Sequence, residues 1–178
     1  MEQRMIFAGA GGQGLMMLGK LVAYAAMNEG RSVTWFPSYG AEVRGGTAHC
    51  HLVISDTEVY SPIVEKATAL LIMNEPSLKR FLPRLQPGGL IVLNTSLAQV
   101  PVGANGSFLA VPATDIANEL GNIRVANMAM LGALNARAKL VSEGAFTSAV
   151  KESLGESKKA LLDINLNAYR RGFEIGAR

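Results

Sequence analysis

Met5-Ile6-Phe7-Ala8-Gly9-Ala10-Gly11-Gly12-Gln13-Gly14 is the stretch whose reading decides the fold. A short apolar run that ends in a glycine cluster reads as a buried strand entering a tight turn. Leu15 to Glu29 then has helical length, with Gly30 where a left-handed C-terminal residue is expected. Strand, glycine turn and helix together open an α/β unit. Ser32-Val33-Thr34-Trp35-Phe36 is rich in β-branched and aromatic residues and is cut by Pro37, so it reads as a second strand, parallel to the first through that helix. Thr47 to Ser55 reads as a third strand. Ser55-Asp56-Thr57-Glu58 turns it into Val59 to Val64, a pairing expected as a hairpin at the edge of an otherwise parallel sheet.

The alternation continues downstream. Ala67 to Met73 is an apolar run of strand length, Glu75-Pro76 opens a helix to about Leu85, and Pro87-Gly88-Gly89 stops it. Leu90 to Leu93 and Phe108 to Val111 are two further short strands, the second leading through Thr114-Asp115 as N-cap into a helix that Gly121 ends. The expected fold is a single α/β domain, a three-layer α/β/α open and mostly parallel sheet of Rossmann-like type with right-handed crossovers. Its sheet core covers about 4–140 and two C-terminal helices about 144–175, broken near Gly155.

Composition narrows the function classes. The 178 residues carry 17 basic and 14 acidic side chains, a net charge of +3, and 49% are apolar. That is too apolar for disorder, and no run approaches the roughly 18 apolar residues of a membrane span. The basic residues are scattered and no nucleic-acid motif is present, so neither nucleic acid nor membrane is an expected partner. The N-terminus shows no signal-peptide pattern, and a cytoplasmic location is expected. No charged residue occurs from Gln86 to Thr114, and Asn122 to Ala136 carries only Arg124. These segments read equally as a covered sheet interior or as a subunit interface. The second reading implies self-association of the isolated chain.

Two segments are equipped to hold a ligand. Gly9, Gly11 and Gly14 satisfy G-x-G-x-x-G between a strand and a helix, which frees backbone N–H groups at a helix N-terminus for an anion. A dinucleotide fold places an acidic residue at the end of the second strand, whereas this one ends in Phe36-Pro37-Ser38; NAD or FAD binding and simple close packing both remain as alternatives. Pro37-Ser38-Tyr39-Gly40-Ala41-Glu42-Val43-Arg44-Gly45-Gly46-Thr47 lies at the carboxyl end of that strand, the edge at which open α/β sheets bind ligands, and should face the glycine turn. Arg44 flanked by glycine offers a forked donor for phosphate or carboxylate, unless it simply pairs with Glu42 to shape the loop. His49 and His51 share one strand face and Cys50 takes the other. With no further His or Cys in the chain, neither a metal site nor a Cys-ligated cluster can be completed.

The glycine turn at 9–14, the Pro-Ser-Tyr-Gly-Ala-Glu-Val-Arg-Gly-Gly-Thr loop at 37–47 and Asn-Met-Ala-Met-Leu-Gly at 127–132 together resemble the gamma subunit of the 2-oxoacid:ferredoxin oxidoreductases, a domain of the single-chain pyruvate enzymes. The Arg-Gly-Gly-Thr form is more similar to the 2-oxoglutarate or branched-chain members. The resemblance implies a subunit that is not catalytic alone, in a complex that oxidatively decarboxylates a 2-oxoacid to an acyl-coenzyme A. Thiamine diphosphate and iron–sulfur clusters would sit on alpha, beta and delta-type partner subunits, with ferredoxin as electron acceptor. It further implies that Gly9, Gly11, Gly12, Gln13 and Gly14, together with Ser38, Tyr39, Gly40, Arg44, Gly45 and Gly46, contact coenzyme A. A purely architectural subunit without ligand is the other reading.

Overall fold

The computed structural model describes residues 1–38, 47–102, 107–154 and 159–178. The opening motif forms as read: β1 (Glu2–Ala10), the glycine turn, then α1 (Leu15–Asn28), which closes at Gly30 with φ +76°. β2 (Ser32–Ser38) and β3 (Thr47–Ser55) follow, then β4 (Ala67–Ile72), α2 (Glu75–Phe81), β5 (Leu85–Asn94), β6 (Ser107–Val111), α3 (Ala113–Glu119), α4 (Ala126–Ala138), α5 (Glu143–Leu154) and α6 (Lys159–Ala177). The six strands form one mixed sheet in the order β2-β3-β1-β4-β5-β6.

The order corrects two expectations. β3 inserts antiparallel between β2 and β1, with Phe7 opposite Cys50 on one side and Thr34 opposite Val53 on the other. β2 therefore runs in the direction of β1 but does not pair with it. The hairpin is β2–β3, and Val59–Val64 is no strand: Pro62 cannot donate to a ladder and Tyr60 is exposed, so this stretch crosses the sheet as a loop. Pairing is parallel from β1 through β6, as expected.

Two helix boundaries also moved for local reasons. α2 gives way after Phe81 to a 3-10 turn at Leu82–Arg84, because Pro83 has no N–H to continue the α-helical ladder. α3 begins at Ala113, so Thr114 and Asp115 lie in its first turn instead of capping it. Its free amides are met from the end of β5: Asn94 Oδ1 accepts from Ala113 N–H at 3.1 Å, and Ser96 Oγ accepts from Asp115 N–H at 3.2 Å.

One sheet face, with Met5, Phe7, Leu52, Leu71 and Val92, packs under α1, α3 and α4. α5 lies on α1, and α6 lies along α4. The other face, with Ile6, Ala8, Val53, Leu70 and Ile91, is covered by α2 and by loop residues such as Val64 and Ala98. The helix α4 is apolar on nearly every side because it is enclosed: the sheet lies beneath it and α6 above, so close that a Cβ on Gly132 or Gly172 would collide with the facing backbone. The low charge of 126–138 is thus explained by burial within the chain.

Candidate functional site

The carboxyl ends of the parallel strands gather the candidate ligand groups. The turn from Ala10 to Gly14 is fastened by its own residues. Ala10 N–H donates to Gln13 Oε1 at 2.7 Å and Gln13 N–H donates to Ala10 O at 3.3 Å. Gly12 and Gly14 have φ +89° and +74°, the left-handed region in which a Cβ is costly. Gly9 must be small for another reason: a Cβ there would lie 2.8 Å from both Leu15 Cδ1 and Met73 Cβ. Gly11 and Gly12 are exposed. The N-cap of α1, Gly14, provides no side-chain hydrogen bond and its first turn holds no acidic residue, so neither the cap nor the helix itself neutralises the leading amides and positive dipole end. The second anchor comes from α4: Asn127 Nδ2 donates to Gln13 O at 3.1 Å. In the sequence Asn127 stands in the 127–132 motif with nothing nearby to assign it a partner.

Of the other expected site residues, Ser38 ends β2 opposite His49, and Thr47 opens β3 opposite Ala10. Thr47 therefore stands beside the glycine turn, while Ser38 lies one strand further out along the same edge of the sheet. Tyr39, Gly40, Arg44, Gly45 and Gly46, and Glu42 with them, lie outside the described residues.

Next to these strand ends, on the α2 side, the rings of Phe36, His51, His49 and Phe81 form a row with centroid separations of 6.3, 5.6 and 4.7 Å. The Arg80 and Arg84 guanidinium groups stand over Phe81 at 5.4 and 5.8 Å. His51 Nδ1 accepts from Val64 N–H at 3.0 Å, so the neutral ring carries its proton on Nε2, which has no acceptor among the described residues. Burial, then the neighbouring His49 and Arg84, pushes His51 down to about 4. Burial and Arg80 hold His49 below its ordinary value. Both rings are neutral at pH 7. On the opposite face burial pushes the Cys50 thiol up to about 12, which makes it inert both as a nucleophile and as a thiolate ligand. The chain's one cysteine therefore does not fit an iron–sulfur cluster.

An open α/β sheet with a glycine turn at its carboxyl edge is an architecture of the nucleotide-fold type. The chain belongs to the pyruvate ferredoxin/flavodoxin oxidoreductase family, whose model matches residues 4–175. It is 39% identical over 172 residues to ketoisovalerate oxidoreductase subunit VorA of Methanothermobacter marburgensis, covering 96% of this chain and 36% of that protein's own length. The keto/oxoacid ferredoxin oxidoreductase gamma subunit of Geobacter sulfurreducens matches with a TM-score of 0.84 and 30% identity over 98% of both chains. A 2-oxoglutarate:ferredoxin oxidoreductase from Magnetococcus marinus, solved with 2-oxoglutarate, coenzyme A and succinyl-CoA bound, shares the fold at a TM-score of 0.91 and 23% identity, over 98% of this chain and 31% of that one.

Proposed function

We propose that this chain is the gamma subunit of a 2-oxoacid:ferredoxin oxidoreductase of the 2-oxoglutarate or branched-chain type. It contributes part of the coenzyme A contact and is not catalytic alone. The observation that carries this is a register: Thr47, which follows the Arg44 loop in sequence, lies opposite Ala10, which opens the glycine turn. Coenzyme A carries phosphates that suit unneutralised amides and a guanidinium. The Magnetococcus structure, which has coenzyme A bound, and the branched-chain substrate in the VorA name support this reading. Alpha, beta and delta-type subunits would hold thiamine diphosphate and the iron–sulfur clusters and pass electrons to ferredoxin, in the cytoplasm. In the assembled enzyme, Gly11, Gly12 and Gly14 present backbone amides, Gln13 shapes the turn, and Arg44 supplies the charge.

A dinucleotide is the weaker ligand because β3 separates β2 from β1. The end of β2 is displaced sideways from the glycine turn by one more strand spacing, about 4.8 Å, and holds Pro37 and Ser38 instead of a carboxylate.

Arg44→Ala in the assembled complex tests the proposal. Loss of a charge-assisted contact worth roughly 1.5–3 kcal/mol should weaken coenzyme A about 10- to 150-fold. The 2-oxoacid affinity and the thiamine-dependent decarboxylation half-reaction should change little, and Arg44→Lys should recover part of the loss. If both half-reactions instead fall together, the subunit is architectural.

A further inference from the structure

We infer that Asn127 is a positioning residue that presets the glycine turn to receive an anion. The inference rests on the coenzyme A reading above and gives it a mechanism within this chain.

Asn127 lies in the first turn of α4, one residue past the helix start and two past the N-cap Val125. Here Val125, at the N-cap, makes no side-chain cap, and Asn127 instead donates to Gln13 O, 114 residues away in the sequence. The direction of that bond matters. In a trans peptide the C=O and the following N–H point opposite ways. With the Gln13 carbonyl drawn toward α4, Gly14 N–H points away from α4, and no carbonyl dipole of this peptide is turned toward an anion at the turn. The same side chain occupies the space a Cβ on Gly14 would take, 2.5 Å from Asn127 Nδ2, so residue 14 admits no side chain in this conformation without moving Asn127. Gln13 is thereby held at two points: its side chain by Ala10 and its carbonyl by Asn127. Gly11 and Gly12, between these points, are left exposed. A turn already in its receiving conformation spends no binding free energy on ordering.

The test uses the assembled complex with coenzyme A as the varied substrate. Asn127→Ala removes the donor and should raise the KM for coenzyme A roughly 3- to 10-fold, the weight of one net hydrogen bond, with kcat at saturating coenzyme A retained. Asn127→Asp keeps the volume and is compatible with a helix first turn, but sets a carboxylate against the Gln13 carbonyl and should raise KM further. Amide hydrogen exchange across residues 11–16 should quicken in both variants while α4 and α6 stay protected. Gly12→Asp is the companion variant: nothing lies within 4 Å of the new Cβ, aspartate bears the backbone cost at φ +89° better than most residues, and its charge would repel any anion at the turn. If Gly12→Asp raises the KM and Asn127→Ala does not, the positioning role is refuted and the coenzyme A reading stands. If KM rises and kcat falls together with lost protection in α4, Asn127 is merely structural. If neither variant alters the coenzyme A KM, the turn is not the coenzyme A contact, and both claims fail.

Discussion

The two faces of the sheet are covered in different ways. Under α1 and α4 the cover is two helices deep, with α5 and α6 outside; Trp35 Nε1, beside Gly19, is buried there without a hydrogen-bond partner among the described residues, while other polar groups are bonded. Asn135, for example, donates to Val141 O and Tyr169 Oη at 2.9 and 2.7 Å and accepts from Val141 N–H. The opposite face has the seven-residue α2, a 3-10 turn and loops, and there His49 Nδ1 and His51 Nε2 are buried without partners. A thick cover gains its stability from backbone-close helix packing, which tolerates no added atom. A thin cover is pinned by polar contacts such as His51 to Val64, which respond to protonation. Both faces meet the glycine turn, through Asn127 on one side and the His49 end of β3 on the other.

The sharpest way to break this contrast is Gly172→Val. The new side chain would press on the backbone of Ala129 and must push α6 off α4; a loss of about 3 kcal/mol or more is expected, read as a fall in the denaturant midpoint or as insoluble protein. A soluble variant of unchanged stability would mean that α6 is not seated as described.

A smaller effect tests the thin face by pH. The folded state holds the His51 proton affinity below that of the unfolded chain, so its contribution is complete above the ordinary histidine value near 6.5. It is lost as pH falls from there toward about 4, by up to roughly 3 kcal/mol, with His49 adding in the same direction. His51→Phe should flatten that slope in urea titrations at pH 4.5 to 7, while costing about 1–2 kcal/mol at pH 7 for the orphaned Val64 N–H. An unchanged slope would place the titrating groups elsewhere.

The mildest expectation returns to the thick face. Cys50→Ala should cost only about 1 kcal/mol, since the change removes one small buried group whose hydrogen bond to Leu15 O is long, at 3.7 Å. At pH 8 the wild-type thiol should resist alkylation until the protein is unfolded. Rapid labelling of the native chain would show that the cover over Cys50 opens.

Much of this architecture was legible in local patterns. The glycines at 9–14 admit few backbone courses between a strand and a helix, and the parity of 49–51 put both histidines on one face and the cysteine on the other, as found. The shortened α2 was legible too, in Pro83, although the expected helix ran on to about Leu85. The boundary at α3 was not, because its caps come from Asn94 and Ser96 on another element. Nor was the place of β3: strand sequence specifies which side chains face the core, not which neighbour supplies the hydrogen bonds.

The sequence by itself determined the α/β class, the glycine turn at the end of the first strand, and the coverage of the family motifs, because each depends on residues adjacent in the chain or repeating at a fixed period. Tertiary structure decided what depends on distant segments meeting. It seated β3 between β2 and β1, which brings Thr47 beside Ala10, and it enclosed α4 under α6, which explains a helix with almost no charge. It also aimed Asn127 at Gln13. A side-chain donor finds its acceptor through space, and only the packing of α4 against the sheet brought these two within 3.1 Å.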